Sequence, residues 1–198
     1  LDRKLQYDFA AFYIDRKNQQ VYQLRESKQG SMLKNAGTSH SQGLEGQLSA
    51  ILLPGLRLGA AAGYTQARFD SYQDPARGAD YSGNRVPFVP QYTAHGELNY
   101  KLPVPVGPWE RPFRLNAQFR HIGAHYWDDA NTLKQAPYHV LNISLHIKTP
   151  HTGLTLWAKN ILDTHYAVYQ FNAFGSDFQQ LGSPARFGLT LKAHILAQ

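Results

Sequence analysis

The sequence predicts an all-β protein, namely the wall of a transmembrane, antiparallel, up-and-down β-barrel with about eight strands. Apolar and polar residues alternate in eight separate segments, whereas no helical apolar period is sustained over a dozen residues. Short and long connections alternate between these segments, and lysines and arginines recur on their polar sides. Together, these three observations favour strands with lipid on one face and water on the other.

Four of the alternating segments lie in the first half of the chain. The predicted strands here are residues 5–16, 43–52, 56–69 and 92–102. One row of the first segment reads Leu, Tyr, Phe, Ala and Tyr, and the second and third segments carry similar rows of Leu and Ala. In the fourth, Thr, His, Glu, Asn and Lys occupy every second position. Each segment therefore has one apolar face and one more polar face.

The other four strands are predicted at residues 111–127, 140–148, 154–160 and 185–195. In the first of these, Phe, Leu, Ala and Phe alternate with Arg, Asn, Gln and Arg. A soluble sheet would turn the charged row to water and bury the apolar row, whereas a membrane barrel would do the reverse. Periodicity alone does not choose between these arrangements.

The connections between the predicted strands differ in length. Residues 52–56 and 148–153 read as tight turns, and the proline-rich stretch 101–112 is somewhat longer. Long loops without secondary structure are unusual in compact soluble domains and usually carry function. Short turns at one rim and long loops at the other are typical of bacterial outer-membrane barrels. The long loops predicted here are residues 18–37, 70–84, 128–137 and 165–184.

The charge on the polar rows indicates which face meets lipid. Acids such as Glu45 and Glu97 are too few to pair all the lysines and arginines of these rows. A packed interior would leave several cations unpaired at high cost, whereas a wide, water-filled lumen would not. The alternative is a soluble sandwich whose charged row faces solvent. The lumen-facing basic residues predicted in this way are Arg114, Arg120, Lys148 and Lys192.

The composition narrows the class of protein further. The absence of cysteine excludes disulfides, thiolate metal sites and cysteine nucleophiles. The 12 tyrosines and 10 phenylalanines suit strands and membrane-interface girdles. The formal net charge of +6 would suit an acidic ligand, anionic lipid or nucleic acid. Because the chain begins at Leu1, without Met or a signal peptide, we expect a processed or excised piece.

Four segments carry short motifs in a fixed order. They are NAGTSHSQGLEG (35–46), GNRVPFVPQYTAHGELNY (83–100), AKNILDTHY (158–166) and GSPARFGLTLKAHI (182–195). Together they resemble the C-terminal β-barrel segment of a TonB-dependent outer-membrane receptor of the ferric-siderophore receptor type. The matching residues are Asn35, Ala36, Gly37, Gly43, Glu45, Pro87, Pro90, Tyr92, Asn160, Leu162, Asp163, Tyr166, Pro184 and Arg186.

The chain departs from the family pattern at three places. Leu162 stands where the family usually has Phe, and Ala185 separates a proline from an arginine that are commonly adjacent. The sequence ends in His194-Ile195-Leu196-Ala197-Gln198, without the terminal aromatic residue usual in such barrels. We therefore expect either an atypical assembly signal or a different terminus.

The resemblance implies a fold and a function for the protein. Receptors of this family are 22-stranded barrels with a plugged lumen, so residues 1–198 would form the C-terminal portion of the barrel, without the plug domain. The implied location is the outer membrane of a Gram-negative bacterium. The implied partners are outer-membrane lipid, a ferric siderophore or related chelate, and the TonB complex through parts missing here. No cofactor is implied, since the Fe(III)-siderophore complex would be the substrate.

The candidate site residues lie mainly in the long loops, because aromatic surface and cationic donors suit a bulky anionic chelate. Trp127 also lies, with Tyr13, Tyr64, Tyr100 and Tyr126, near strand ends, where barrels place aromatic girdles. The ligand-binding candidates are Tyr72, Arg77, Tyr81, Arg85, Trp127, Tyr169, Phe171 and Phe174.

Other motif residues are predicted to be structural. Gly37 and Gly43 suit unusual backbone conformations or close approaches, and Asn160 and Asp163 suit turns. His121 and His125 are predicted to share one face of one strand, about 13 Å apart. This separation is too large for both imidazoles to bind one ion, so no metal site is predicted.

Enzymes and nucleic-acid-binding proteins are not favoured. The sequence contains no nucleophile elbow, phosphate loop or His-Glu-x-x-His motif. The basic residues alternate with apolar ones inside strands instead of clustering with exposed aromatics. Two alternatives remain open: an independent eight-stranded barrel acting as a pore or adhesin, and a soluble β-domain that binds a lipophilic ligand.

Overall fold

The computed structural model describes residues 4–18, 20–24, 31–35, 37–75, 77–103, 113–149 and 151–193. The described residues form strands, turns and irregular segments. Among them there is no helix of the length and apolarity that a membrane span requires. In chain order, the strands are β1 (Leu5–Lys17), β2 (Gln20–Leu24), β3 (Ser31–Asn35), β4 (Thr38–Leu53), β5 (Leu56–Ser71), β6 (Gln73–Asp74), β7 (Ala79–Asp80), β8 (Tyr92–Lys101), β9 (Phe113–Ile122), β10 (His125–Tyr126), β11 (Lys134–Gln135), β12 (Tyr138–Lys148), β13 (Thr152–Lys159), β14 (Ala167–Ala173), β15 (Ser176–Leu181) and β16 (Arg186–Ala193).

Eight of these strands form one antiparallel sheet in the order β1-β4-β5-β8-β9-β12-β13-β16. Each long strand pairs with the next long strand along the chain, which is up-and-down topology. The all-β prediction and the eight predicted strands are therefore confirmed. Within the described residues β1 and β16 lie at opposite ends of the order, so the sheet is a section of wall and not a closed barrel.

Two predicted boundaries need correction. The strand predicted at 111–127 ends at Ile122, and His125 belongs to a separate short hairpin, so His121 and His125 do not share a strand. The strand predicted from residue 43 begins at Thr38, because its pairing with β1 and β5 continues through a polar stretch. This extension has no alternating apolar row, so periodicity could not reveal it. Ile195 and Ala36 lie outside the described residues.

The long loops predicted to lack secondary structure contain short hairpins. Three of the four hold a complete two-stranded sheet: β2–β3, β6–β7 and β14–β15. The fourth, residues 128–137, holds β11, which pairs with β10 just before it. In the β14–β15 hairpin, Phe174 and Gly175 have φ values of 53° and 74° at the turn between the strands. Positive φ at both central residues matches the twist of two paired strands. The polar composition of these loops concealed their pairing.

The cross-strand register separates the sheet into an apolar face and a polar face. Side chains directly opposite one another share a face. One register row on the apolar face consists of Leu5, Ala50, Leu58, Leu98, Ala117, Ile143, Ala158 and Phe187. A row on the polar face consists of Lys101, Arg114, His146, Thr155 and Thr190.

The apolar face is not covered by a second layer of described structure. Phe9 is 82% exposed, and Phe187 and Leu191 are each 68% exposed, all on this face. The buried apolar residues lie instead at the loop end of the sheet: Ala67, Phe69, Tyr72, Tyr81 and Ala167. A soluble sandwich would bury the apolar face, so this arrangement favours a face that meets lipid.

The sheet curves towards its polar face. A depression of about 480 Å³ spans β1, β4, β5, β8 and β9 on this side. Its polar lining includes Asp8, Glu45, Gln47, His95 and Arg120. The concave side is thus the polar one, as expected for the inner surface of a barrel wall.

Two glycines on the polar face are covered by aromatic rings. A Cβ atom on Gly188 would lie 2.1 Å from Cζ2 of Trp157, and one on Gly43 would lie 2.6 Å from Cζ of Phe12. The partner strands bring these residues directly opposite each other. Glycine at position 188 therefore lets the ring lie flat across the neighbouring strand. At Gly43 the Tyr64 carbonyl oxygen, 2.3 Å from an added Cβ, excludes a side chain as well.

Candidate functional site

Three described connections meet at the end of the sheet where the long loops lie: residues 72–91, 123–137 and 160–185. The first joins β5 to β8, the second joins β9 to β12, and the third joins β13 to β16. Because these strand pairs are neighbours in the sheet, the three connections lie side by side. They contain all eight of the predicted ligand-binding residues.

The connection 72–91 has a small aromatic core. Phe69 packs edge-on against Tyr72 with ring centroids 4.9 Å apart, and Tyr72 packs against Tyr81 at 5.2 Å. Tyr72 is 1% exposed and Tyr81 is 7% exposed. Both tyrosines were predicted as ligand contacts because they lie in a polar loop. The structure gives them a packing role in the loop core instead.

Hydrogen bonds join the connections 72–91 and 123–137. The Tyr72 hydroxyl donates to Oδ2 of Asp129 at 3.0 Å, and the Asn84 amide donates to the backbone carbonyl of Asp129 at 2.9 Å. Asn131 accepts from the backbone N–H of Arg85 at 2.8 Å and donates to its carbonyl at 2.9 Å. These bonds hold the two connections in one arrangement.

Burial raises the pKa of the Asp129 carboxyl above its ordinary value. The Tyr72 hydrogen bond opposes this shift, and the neighbouring Asp128 carboxylate adds to it. Desolvation thus outweighs the one hydroxyl donor, because a charged carboxylate loses hydration in this position. Asp129 therefore joins the two connections although burial disfavours its charged form.

The two arginines predicted as ligand contacts differ in their surroundings. Arg77 is exposed; its Nε lies 3.9 Å from Oδ2 of Asp74, and a hydrogen bond with Tyr81 raises its pKa. Arg85 is half-buried and donates through Nη2 to Oε1 of Gln91 at 2.9 Å. Arg77 therefore has its guanidinium at the surface, whereas that of Arg85 supports the base of the loop.

Five aromatic residues from the three connections form what we call the aromatic ladder. Ring centroids are 5.4 Å apart between Phe88 and Trp127, and 6.1 Å apart between Trp127 and Tyr169. The ladder continues from Tyr169 to Phe171 at 5.6 Å and from Phe171 to Phe178 at 5.2 Å. The four rings other than Trp127 are exposed. The ladder is thus an open aromatic surface shared by three loops.

Trp127 is the centre of the ladder. It packs against Phe88, Tyr169 and His125, and its Nε1 is buried without a hydrogen-bond partner among the described residues. The prediction of Trp127 as a girdle residue is therefore wrong, because its ring lies in a loop cluster beyond the end of β9. The prediction that Trp127 contacts the ligand agrees with this location. Tyr13, Tyr64 and Tyr100 lie on the apolar face.

Sequence reasoning missed two members of the ladder, Phe88 and Phe178. Phe88 has a φ of 64°, a conformation rare for a bulky residue, and no sequence pattern indicates it. Phe178 lies opposite Phe171 in the β14–β15 hairpin, so recognition of that hairpin would have revealed it. Phe174 was predicted but stands apart, fully exposed at the tip of the same hairpin.

The Asn160–Tyr166 segment positions the β14–β15 hairpin. Asn160 is buried with a φ of 48°, and its amide donates to the carbonyls of Thr164 and Ser183, each at 3.0 Å. Asp163 accepts from the backbone N–H of Ala185 at 2.8 Å. Tyr166 stacks on Tyr138 at 4.3 Å. The predicted structural role of Asn160 and Asp163 is therefore confirmed.

The predicted lumen residues lie on the polar face of the sheet. Arg120 lines the depression, and Arg114 is directly opposite Lys101 and His146. Lys148 and Lys192 both lie opposite Gly153, in one register row. Among the described residues, these four cations form no ion pair with a carboxylate. The polar face therefore carries unbalanced positive charge.

The described part of the chain contains no group of three or more His, Asp or Glu side chains arranged to hold a metal ion. His121 lies on the apolar face opposite His139, whereas His125 is buried beside Trp127. The two histidines compared in the sequence thus lie in different environments.

Comparison with known proteins gives one family. The model of the TonB-dependent receptor-like β-barrel matches residues 1–161. The pesticin receptors of Yersinia pestis and Yersinia enterocolitica are 27% identical over 184 residues, which cover 92% of this chain and 26% of theirs. The chain thus spans about a quarter of the length of these curated relatives.

Solved structures show the same fold. The ferric yersiniabactin uptake receptor FyuA from Yersinia pestis matches with a TM-score of 0.81 and 22% identity, covering 98% of this chain and 28% of that one. The siderophore receptor PiuA from Acinetobacter baumannii matches with a TM-score of 0.74 and 20% identity, covering 96% and 26%. With the family model matching well over half of its residues, the chain belongs to the TonB-dependent receptor-like β-barrel family.

Proposed function

We propose that the whole protein is a TonB-dependent uptake receptor for a ferric siderophore or a similar metal chelate, in the outer membrane of a Gram-negative bacterium. This chain would supply the C-terminal part of the barrel wall and several of its external loops. Support comes from relatives described as a ferric yersiniabactin uptake receptor, a siderophore receptor and a ferripyoverdine receptor. The TonB contact and the plug would belong to other parts of the protein.

The observation that carries the proposal in this chain is the aromatic ladder at the loop end of the sheet. An apolar or aromatic part of a chelate can lie on the exposed rings of Phe88, Tyr169 and Phe171 at little entropic cost, because loop packing already fixes them. Arg77, which lies between Tyr72 and Tyr81 in the chain, offers an exposed guanidinium that could bind an anionic group of the chelate. The hydrogen bonds around Asp129 and Asn131 hold this arrangement before ligand arrives.

Uptake would then follow in two steps. The chelate binds at the loop end through the ladder and through parts of the receptor outside this chain. Energy relayed through TonB rearranges the plug, which opens a path along the concave polar face of the barrel. The apolar face meanwhile holds the wall in the lipid, since each described strand between β1 and β16 in the sheet pairs with a neighbour on both sides.

The test is ligand binding by the complete receptor carrying Tyr169→Ala and Phe171→Ala. We expect the dissociation constant for the ferric chelate to rise roughly tenfold to a hundredfold, because two aromatic contacts of about 1 kcal/mol or more are lost. Val168→Ala is the matched control, since Val168 has the same exposed fraction as Tyr169, 43%, and is not a member of the ladder.

Iron-dependent growth of cells that express each variant gives a second readout. Equal affinities for the double variant and the control would contradict a binding role for the ladder. The independent eight-stranded pore is less well supported, because β1 and β16 are not paired with each other in the described sheet. Stable single-channel conductance by the isolated chain would favour that alternative.

A further inference from the structure

The apolar face of the sheet reaches a pair of tyrosines towards its loop end. Tyr64 on β5 and Tyr92 on β8 lie directly opposite each other, with ring centroids 5.1 Å apart. Tyrosines on the outer surface of a barrel are typical of the boundary between hydrocarbon and lipid headgroups. In the proposed membrane orientation, the side chains that follow on this face towards the loops therefore lie at the level of the headgroups.

Beyond the tyrosines, the same face carries two opposed arginines. Arg68 lies four residues after Tyr64 on β5, and an even spacing along a strand keeps both side chains on one face. The segment 84–86 continues the sheet beside β5 through two backbone hydrogen bonds of 3.0 and 3.1 Å. Arg85 in this segment is directly opposite Arg68 in an antiparallel bridge. The two arginines therefore project from the same side of the wall.

The described structure supplies no acid to this pair of arginines. Like charges directly opposite each other destabilise a sheet. Among the described residues, neither Arg68 nor Arg85 forms an ion pair with a carboxylate. Asp70, two residues along the chain from Arg68, instead binds His40, which is opposite Arg68 on the other neighbouring strand. The positive charge of the pair thus calls for an anion from outside the described chain.

Both guanidinium groups are held in place without using all of their donors. Arg68 donates through Nη1 to the backbone carbonyl of Gly83 at 2.7 Å, and Arg85 donates through Nη2 to Oε1 of Gln91 at 2.9 Å. Both side chains are half-buried. A guanidinium has five N–H donors, so each arginine keeps further donors for a ligand. Because the side chains are already oriented, little conformational freedom is lost on binding.

The space between the arginines indicates the shape of the anion. A cleft lined by Arg68, Arg85, Gln66 and Gln91 has a volume of about 20 Å³. One water molecule needs roughly 10–15 Å³, so the cleft admits one oxygen atom of a larger group whose remainder stays at the surface. A phosphate group has such projecting oxygens, and the planar fork of a guanidinium matches them.

We propose that Arg68 and Arg85 form a binding site for the phosphate group of an anionic membrane lipid, on the outer surface of the barrel wall. The inference rests on the proposed function in one respect, namely that this wall lies in the outer membrane. The acyl chains of the bound lipid lie along the apolar face, on the hydrocarbon side of Tyr64 and Tyr92. None of the residues of this site belongs to the aromatic ladder.

The experiment uses the full-length receptor in detergent, with Arg68→Gln and Arg85→Gln combined. The probe is phosphatidic acid, a lipid with a phosphate monoester, and native mass spectrometry counts the bound molecules during a titration. We expect the dissociation constant to rise about tenfold or more in the double variant, because charge-assisted hydrogen bonds to the phosphate are lost. An unchanged dissociation constant would overturn the inference.

The matched control is Arg16→Gln with Arg57→Gln, which removes the same charge from the polar face of β1 and β5. We expect this control to bind phosphatidic acid as the wild type does. Heat-modifiable mobility of the barrel in electrophoresis reports whether each variant is folded. If the double variant does not fold, Arg85→Gln alone keeps the bond from Arg68 to the loop, and we expect about a threefold rise.

Two further ligands identify the source of the phosphate. Phosphatidylcholine with the same acyl chains has no net charge, and we expect both arginine variants to bind it as the wild type does. An equal loss of both lipids in the Arg68 and Arg85 variant would contradict a site for the anionic phosphate. We expect inorganic phosphate not to displace phosphatidic acid. Displacement at similar concentrations would assign the arginines to a free anion and overturn the lipid site.

The proposed function is tested separately in the same preparation. Binding of ferric chelate and insertion into phosphatidylcholine vesicles are measured for the wild type. Failure of either would count against the transport proposal, whereas the difference between the arginine variants and the wild type in phosphatidic acid binding reports on the lipid site alone.

Discussion

The N-terminal half-sheet (β1, β4, β5 and β8) and the C-terminal half-sheet (β9, β12, β13 and β16) have the same outer surface and different inner surfaces. Their apolar faces continue one another row by row, from Leu5 on β1 to Phe187 on β16. Their polar faces differ, since three acids balance three cations in the N-terminal half-sheet and six cations have no acid in the C-terminal half-sheet. The proposed contact with lipid would impose one requirement on every strand, whereas the polar face differs with what each strand contacts.

The largest expected effect tests the shared outer surface. Ile143→Lys places a charge in the apolar row, and we expect it to destabilise the folded receptor by about 2–4 kcal/mol if the position is near the bilayer midplane. Ser144→Lys, one residue later and on the polar face, is the control and should cost much less. Urea unfolding in lipid vesicles measures both. Similar losses for the two variants would contradict the assignment of faces.

The second prediction concerns packing that is found in the C-terminal half-sheet. Gly188→Ala would force the Trp157 ring away from its neighbouring strand, and we expect a loss of about 1–3 kcal/mol. Gly153→Ala is the control on the adjacent strand, because the nearest atom to its added methyl, the Lys192 Cβ, is 3.8 Å away. Unfolding of the two variants should separate clearly; equal stability would mean that Trp157 can move freely.

The third prediction sharpens the charge asymmetry by adding one acid to each half-sheet. Thr190→Glu places a carboxylate two residues from Lys192 on the same face and keeps an acceptor for the Nε1 of Trp157, which Thr190 binds at 3.3 Å. We expect a gain of about 0.2–1 kcal/mol. Gln47→Glu places a carboxylate opposite Asp8 and removes the 2.9 Å hydrogen bond from the Gln47 amide to Oδ2 of Asp8. We expect this variant to lose a similar amount of stability. Opposite signs at low ionic strength support the asymmetry. The same sign at both positions would contradict it.

The smallest expected effect concerns pH and the loop cluster above both half-sheets. Burial raises the pKa of Asp129, so ionisation is unfavourable in the folded loop at neutral pH. The energetic cost of ionising Asp129 disappears as pH falls through the raised pKa, because the carboxyl is then protonated. Asp129→Asn removes this cost at every pH. We expect slower hydrogen exchange in residues 123–137 of the variant at pH 7, by less than about tenfold. The difference should vanish in acid; a constant difference would point to packing.

The sequence predicts the sheet well because a single physical rule governs it. Alternation along Phe113–Ile122 and Tyr138–Lys148 assigns each side chain to a face, and the structure confirms these faces. The loop end follows no such rule. Tyr72 and Phe171 are both aromatic residues in polar stretches, yet one is buried in a loop core and the other is an exposed member of the ladder.

What separates Tyr72 from Phe171 is contact with residues far along the chain. The Tyr72 hydroxyl reaches Asp129, 57 residues away. Phe88 reaches Trp127 and Tyr169 through a backbone conformation that its sequence does not indicate. Such contacts depend on how neighbouring loops meet, which a local pattern does not encode.

The register between β4 and β5 shifts only at its two ends, beside Thr38 and near Ile51–Leu53. Elsewhere in this pair, a single inserted or deleted residue would exchange the two faces and turn Glu45 into the apolar row. Evolution of such a wall is therefore restricted to exchange of one residue for another within the span. Changes in chain length can accumulate only beyond its margins, where hairpins lengthen and shorten freely.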